Sequence, residues 1–162
     1  LQLVDLATGS GLAELARQQA HAEAIPALAD TVVAMARSGL ASRSVQEALA
    51  GGRLWREVYV AAPVGERAVE GYIDLLYETG DGLVIVDYKT DSVRSDAEID
   101  TKLDQYRLQL ATYAEALEAA TGLSVTAGRL VFCRVGGAVE RDVADLPQAR
   151  AEVRSLLAGP GA

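Results

Sequence analysis

Leu3, Leu6, Leu12 and Leu15 recur at helical spacing in an alanine-rich opening and predict a first helix, loosened around Gly9 and Gly11. Pro26 suits the first turn of a second helix running to about Ser38, with Gly39 to stop it. Ser44 followed by Glu47 has capping-box spacing before a short third helix that Gly51-Gly52 would end. The texture then changes. Leu54, residues 57–60 and the alanines after them read as a strand, 63–66 as a turn and 69–77 as a second strand. Gly80-Asp81-Gly82 makes a tight turn into a third strand over 83–89. Within it Leu83-Val84-Ile85-Val86 is apolar at both parities, so this strand should be covered on both faces. A polar loop from Thr90 to about Glu98 precedes a long helix over about 99–120, ended near Gly122. Two more strands, 130–134 and 138–143, join through Gly136-Gly137; Pro147 opens a last helix and the Gly159-Pro160-Gly161 tail should fray. The expected fold class is therefore α/β, a mixed central β-sheet flanked by helices in the order ααα-βββ-α-ββ-α. No repeat, low-complexity segment or linker divides the chain, so residues 1–162 are expected to form a single domain.

Composition narrows the picture. A chain of 162 residues can bury a sizeable core without staples, and its one cysteine, Cys133, rules out an internal disulfide and any four-cysteine zinc or iron–sulfur site. No apolar run approaches a membrane span and the first residues lack a signal peptide's basic segment, so no membrane partner and a cytoplasmic location are expected. A net charge of −8 disfavours a domain that grips nucleic acid alone, because phosphate neutralisation supplies much of such affinity. A domain of this charge that did act on nucleic acid would need bound ions to offset part of it, or a partner to feed the strand in. Leu1 is not a natural start residue, so the chain is read as a fragment of a longer polypeptide.

The chemistry concentrates at Asp87-Tyr88-Lys89, the end of the most hydrophobic strand. Strand side chains alternate, which puts Asp87 and Lys89 on one face and Tyr88 on the other. An acid and a base at the end of a buried strand are costly unless something uses them. If the second and third strands pair as a meander, Asp74 comes beside Asp87, and a divalent cation is the usual remedy for two carboxylates in contact. Carboxylate oxygens suit Mg2+ or Mn2+, which accept a substrate phosphate and acidify a bound water; Lys89 can orient that water or meet charge building on phosphorus. The outline is a metal-dependent phosphodiesterase.

Gly71-x-x-Asp74, then Asp87-Tyr88-Lys89-Thr90, then Gln109-x-x-x-Tyr113 on a helix resembles the RecB-like branch of the PD-(D/E)xK nucleases, and Arg56-Glu57 looks like that branch's first strand. Such domains occur at the C-terminus of UvrD-, RecB- and AddA-type superfamily 1 helicases. The resemblance implies a restriction-endonuclease-like core and a deoxyribonuclease, exonuclease-like, in double-strand break repair or recombination. Asp74 and Asp87 would bind the metal with the main-chain carbonyl of Tyr88, and Lys89 would be catalytic. Gln109 and Tyr113, with Glu57 and Tyr106, would line the DNA path. Implied partners are DNA, single-stranded or end-processed duplex, and a superfamily 1 helicase in cis or in trans. The branch usually places a histidine ligand on the first helix; His21, the only histidine, lacks that Gly-x-x-x-His context, and the ligand is expected upstream of Leu1. Relatives with four cysteines carry an iron–sulfur cluster, which this chain cannot.

Plainer readings stand beside these. Asp74 could be a solvated strand-end aspartate, and Asp87 with Lys89 an exposed ion pair of little energetic value. Glu57 either approaches the metal or faces solvent. Tyr106, Gln109 and Tyr113 could be a packing face. His21 reads as a surface or cap residue, Cys133 as core, Arg53, Arg56, Arg94 and Arg107 as ordinary surface arginines, and the acidic stretch 91–104 as a solvated loop. In functional terms the alternative to a nuclease is a non-catalytic nuclease-like module that binds DNA or stabilises a helicase complex. A domain with chance similarity would have Asp74 and Asp87 far apart.

Overall fold

The computed structural model describes residues 4–64, 67–93 and 95–158. Leu1, Leu3, Gly65, Glu66, Arg94 and the terminal Gly159-Pro160-Gly161, which entered the expectations from sequence, lie outside these.

Gly11, left-handed at φ 78°, sets the start of α1 (Leu12–Ala22), so Leu6 belongs to no helix and packs against the sheet instead. Pro26–Leu28 forms a 3₁₀ turn that leads into α2 (Ala29–Leu40). Gly39 does not stop that helix: it lies buried in the last turn, where tertiary packing overrides its low propensity. The third helix, α3 (Arg43–Gly51), is capped by Ser42, whose Oγ accepts from the Val45 N–H at 3.4 Å. The expected cap, Ser44, is taken up elsewhere: its hydroxyl donates to Glu140 at 2.6 Å. Gly52, again left-handed, ends the helix as its sequence predicts.

Five strands follow: β1 (Leu54–Val64), β2 (Arg67–Thr79), β3 (Gly82–Lys89), β4 (Val125–Phe132) and β5 (Val139–Asp142). Pro63 thus sits in β1 rather than in a turn, and β4 begins at Val125, ahead of its expected start. The long helix α4 (Asp96–Thr121) opens on Ser95, whose Oγ accepts from the Glu98 N–H, and α5 (Leu146–Ala158) closes the fold. Asp96 and Glu98 therefore lie in the first turn of α4, at its positive end, not in a loop. The sheet order is β1-β2-β3-β4-β5, antiparallel except for the parallel pair β3–β4, which α4 connects as a crossover. Element order and class are those predicted.

Helices cover both faces of β3. Leu83 and Ile85 pack under α4 and α5 with Leu110, Leu117, Leu130 and Phe132, while Val84 and Val86 pack under α3 with Val45, Tyr77 and Val131. Each fully buried aliphatic side chain of this kind contributes about 1.5–3 kcal/mol over leaving it exposed. Tyr77 is wholly buried, and its hydroxyl is satisfied by donating to Glu47 at 2.8 Å and accepting from Arg129 at 2.6 Å, which ties α3 to the sheet. Cys133 is core and His21 is exposed. No helix of the described residues is long and apolar enough to cross a membrane.

One irregularity positions everything that follows. In β1, Leu54 belongs to the α3 layer, whereas Val58, Val60 and Ala62 belong to the α4 layer. In β2, Tyr77 and Leu75 belong to the α3 layer, whereas Ile73 and Val69 turn toward α4. Both strands change parity at the same level, between Arg56↔Leu75 and Val58↔Ile73. The residues there are Glu57, left-handed at φ 50°, and Asp74. A non-glycine residue in that conformation is strained, and such strain gathers at functional positions.

Candidate active site

The alternation of β3 puts Asp87 and Lys89 on the α4 face, continuing Leu83 and Ile85, while Tyr88 joins the α3 layer. The main-chain ladder between β2 and β3 ends at Leu75↔Val86, and the next level holds Asp74 and Asp87. There a side chain replaces the ladder: Asp74 Oδ2 accepts from the Tyr88 N–H at 2.7 Å. On its other side β3 continues to pair with β4 through this point, Asp87↔Leu130 to Lys89↔Phe132. Asp87 is only 5% exposed.

Lys89 completes the group. Its ammonium lies 2.6 Å from Asp87 Oδ2, donates to Gln109 Oε1 at 3.1 Å, and sits 3.8 Å from the centre of the Tyr106 ring. A lysine only donates, so the Gln109 oxygen must face it, and the Gln109 amide N–H then donates to the Tyr113 hydroxyl at 2.9 Å. Tyr113 in turn lies against Gly71. A Cβ built on Gly71 would come 2.8 Å from that hydroxyl and 2.9 Å from the ring carbon bearing it. Gly71, Tyr113, Gln109, Lys89 and Asp87 therefore form one chain of contacts across β2, α4 and β3. Tyr106, Gln109 and Tyr113 share one side of α4, and that side meets the acid pair.

Burial pushes the Asp74 carboxyl above its usual range, against the opposing pull of the Tyr88 N–H and the Lys89 charge. Burial does the same to Asp87; the Lys89 ammonium pulls it down and the Asp74 charge pushes it further up. Two acids held in this way favour a proton or a cation. The sign for stability follows: a carboxyl raised in the folded state binds protons more readily there than in the unfolded chain. Its contribution is greatest in acid and is lost as pH climbs from the ordinary 3.8 through the raised value. Thermal unfolding of the metal-free protein against pH should therefore show a component falling above about pH 4 that is smaller in Asp74→Asn. Equal slopes in the two proteins would remove this account of the pair.

The remaining residues singled out from sequence are placed as follows. Glu57 occupies the β1 level opposite Asp74, but among the described residues no three His, Cys, Asp or Glu side chains are placed to hold one ion. Of the arginines read as surface, the three among the described residues are engaged within the chain. Arg53 pairs with Glu78, Arg56 donates to the Val4 carbonyl, and Arg107 pairs with Glu152 and Asp145. Two neighbours escaped the sequence reading: Asp91, which accepts from the Tyr106 hydroxyl at 3.2 Å, and Lys102, 2.8 Å from Asp91. The signal was the scarcity of lysine, since Lys89 and Lys102 are the chain's only two.

A model of the PD-(D/E)XK nuclease superfamily matches residues 5–159. The chain belongs to that superfamily. Curated relatives of this nuclease-superfamily chain are ATP-dependent helicase/nuclease subunits A. That of Acetivibrio thermocellus is 40% identical over 73 residues, 44% of this chain and 6% of the relative. That of Alkaliphilus metalliredigens is 42% identical over 73 residues, 45% of this chain and 6% of the relative. The matched segment is thus a small part of much longer proteins. A solved Eubacterium rectale protein, provisionally named an exonuclease, shares the fold with a TM-score of 0.54 at 14% identity, over 94% of this chain and 63% of that one. The family and the mixed, helix-flanked sheet expected from the sequence are both found.

Proposed function

We propose that this nuclease-superfamily chain is a Mg2+- or Mn2+-dependent deoxyribonuclease domain, exonuclease-like, serving a helicase–nuclease in double-strand break repair or recombination. The observation that carries the reading is buried Asp87 on the level of half-buried Asp74, with Lys89 beside them, held from α4 by Gln109. The donor set fits a hard divalent ion. Both carboxyls are destabilised as free anions by burial, and Asp87 Oδ2 has no well-directed hydrogen bond. Such ions need only one or two carboxylates when a phosphate supplies further oxygens. Asp74, Asp87 and the Tyr88 main-chain carbonyl would hold the ion. Once bound, it supplies Lewis-acid activation of the phosphodiester and of the attacking water.

The chain's own residues do the rest. Lys89 presents a positive charge to the phosphate as negative charge accumulates on it, and Gln109 fixes where that charge stands. Burial beneath α4 keeps the local dielectric low and strengthens this attraction. The relatives' names supply the link to a helicase and a nuclease, and a net charge of −8 agrees with a domain that receives DNA from a partner.

A cleavage assay on single-stranded DNA with Mn2+ or Mg2+ tests the reading. Wild type should cut only with the ion present, and Lys89→Ala should cut on the order of a hundredfold more slowly. The ion alone should raise the unfolding temperature of wild type. A protein that binds DNA but cuts nothing, and whose melting ignores the ion, is an architectural module instead.

A further inference from the structure

Lys89 and Lys102, the only lysines in the chain, converge on one aromatic ring: their ammonium groups lie 3.8 Å and 5.9 Å from the centre of Tyr106. That ring is itself secured. Its hydroxyl donates to Asp91, which is paired with Lys102 at 2.8 Å, so the segment after β3 and the first turns of α4 are clasped around it. Asp91 is held below the usual carboxylate range, chiefly by that lysine, and stays a charged acceptor. Lys89 consequently has three supports, Asp87, Gln109 and the Tyr106 ring, and only the ring carries no hydrogen-bonding demand of its own.

We propose that Tyr106, clasped by Asp91 and Lys102, is a positioning residue: its ring face holds the Lys89 ammonium over the acid pair. The assignment rests on the nuclease reading for what Lys89 does, but not for where Lys89 sits. A cation over an aromatic face is attracted by the ring's negative centre, more strongly where water is excluded, and Lys89 is 13% exposed. The support is also selective. Asp87 attracts any conformation of a lysine that brings the charges close, whereas a ring face accepts the ammonium from one direction only. When a cation draws on Asp87, the ring and Gln109 keep Lys89 extended instead of letting it swing away.

The test uses the full chain and two kinds of reading. With only two lysines, the ε-methylene protons of both can be assigned in a carbon–proton correlation spectrum. In wild type those of Lys89 should lie upfield of those of Lys102, because they lie nearer the ring face. Tyr106→Leu should return them to the ordinary lysine position. Tyr106→Phe and Asp91→Asn, which keep the ring but loosen the clasp, should give intermediate shifts. In the cleavage assay Tyr106→Leu should lower kcat by roughly tenfold with KM little changed, and Tyr106→Phe should restore most of it. Identical Lys89 shifts in wild type, Tyr106→Leu and Asp91→Asn would overturn the proposal, as would a loss confined to KM. Should wild type cut no DNA, the nuclease reading fails while the shifts still decide the placement of Lys89.

Discussion

Asp87→Asn is expected to lower DNA cleavage on the order of a thousandfold while leaving the protein no less stable at neutral pH. The two effects have one origin. Asp87 is 5% exposed and lies on the level of Asp74, so its charge opposes folding by more than Lys89 alone offsets, unless a further cation is bound. Asparagine keeps the shape and an oxygen that can accept from Lys89, and it removes the charge. What is lost is the ability to hold a divalent ion. The check is a pair of measurements on one preparation: cleavage of single-stranded DNA with Mn2+, and thermal unfolding at pH 7 without it. A large drop in unfolding temperature with intact cleavage would make Asp87 a structural acid and remove it from the site.

Gly71→Ala should damage both stability and cleavage, although Gly71 itself touches no reacting group. The added methyl would stand 2.8 Å from the Tyr113 hydroxyl and 2.9 Å from the ring carbon that bears it. Overpacking of this kind costs about 1–3 kcal/mol. Tyr113 cannot yield without consequence, since its hydroxyl accepts from Gln109, and Gln109 accepts from Lys89. Urea unfolding measures the first effect and the cleavage assay the second. Adding Tyr113→Ala removes the obstacle, so the double variant should be more stable than the sum of the single losses predicts. Strict additivity would show that the two residues do not press on each other.

These contacts mark what could be read from the residues alone and what could not. The facing of Asp87 and Lys89 was legible because alternation along a strand is a local rule, and β3, bounded by Gly82 and covered on both sides, obeys it. The clustering of Tyr106, Gln109 and Tyr113 was legible as helical spacing. The opposing layer was not. That Gly71 is glycine because Tyr113 lies on it depends on how α4 crosses β2, which no local pattern carries. The parity change at Glu57 and Asp74 was hidden for the same reason: a strained residue inside a strand leaves the alternation of each half intact and merely offsets the halves. The cap of α3 shows a milder case, with two serines at workable positions and the choice made by distant Glu140.

The helix α4 has a further consequence, in the order of folding. The hairpins β1–β2 and β2–β3 join neighbours in sequence and can form early, whereas the parallel pair β3–β4 must wait for the whole crossover to close. Both aspartates and the lysine belong to the early part; Tyr106, Gln109 and Tyr113, which orient the lysine, belong to the late one. A half-folded copy therefore carries the acids and the base without the groups that aim them. If the domain cuts DNA as proposed, cutting competence arrives only with the last long-range step, and unfinished or damaged copies are disarmed by the same event that leaves them misfolded.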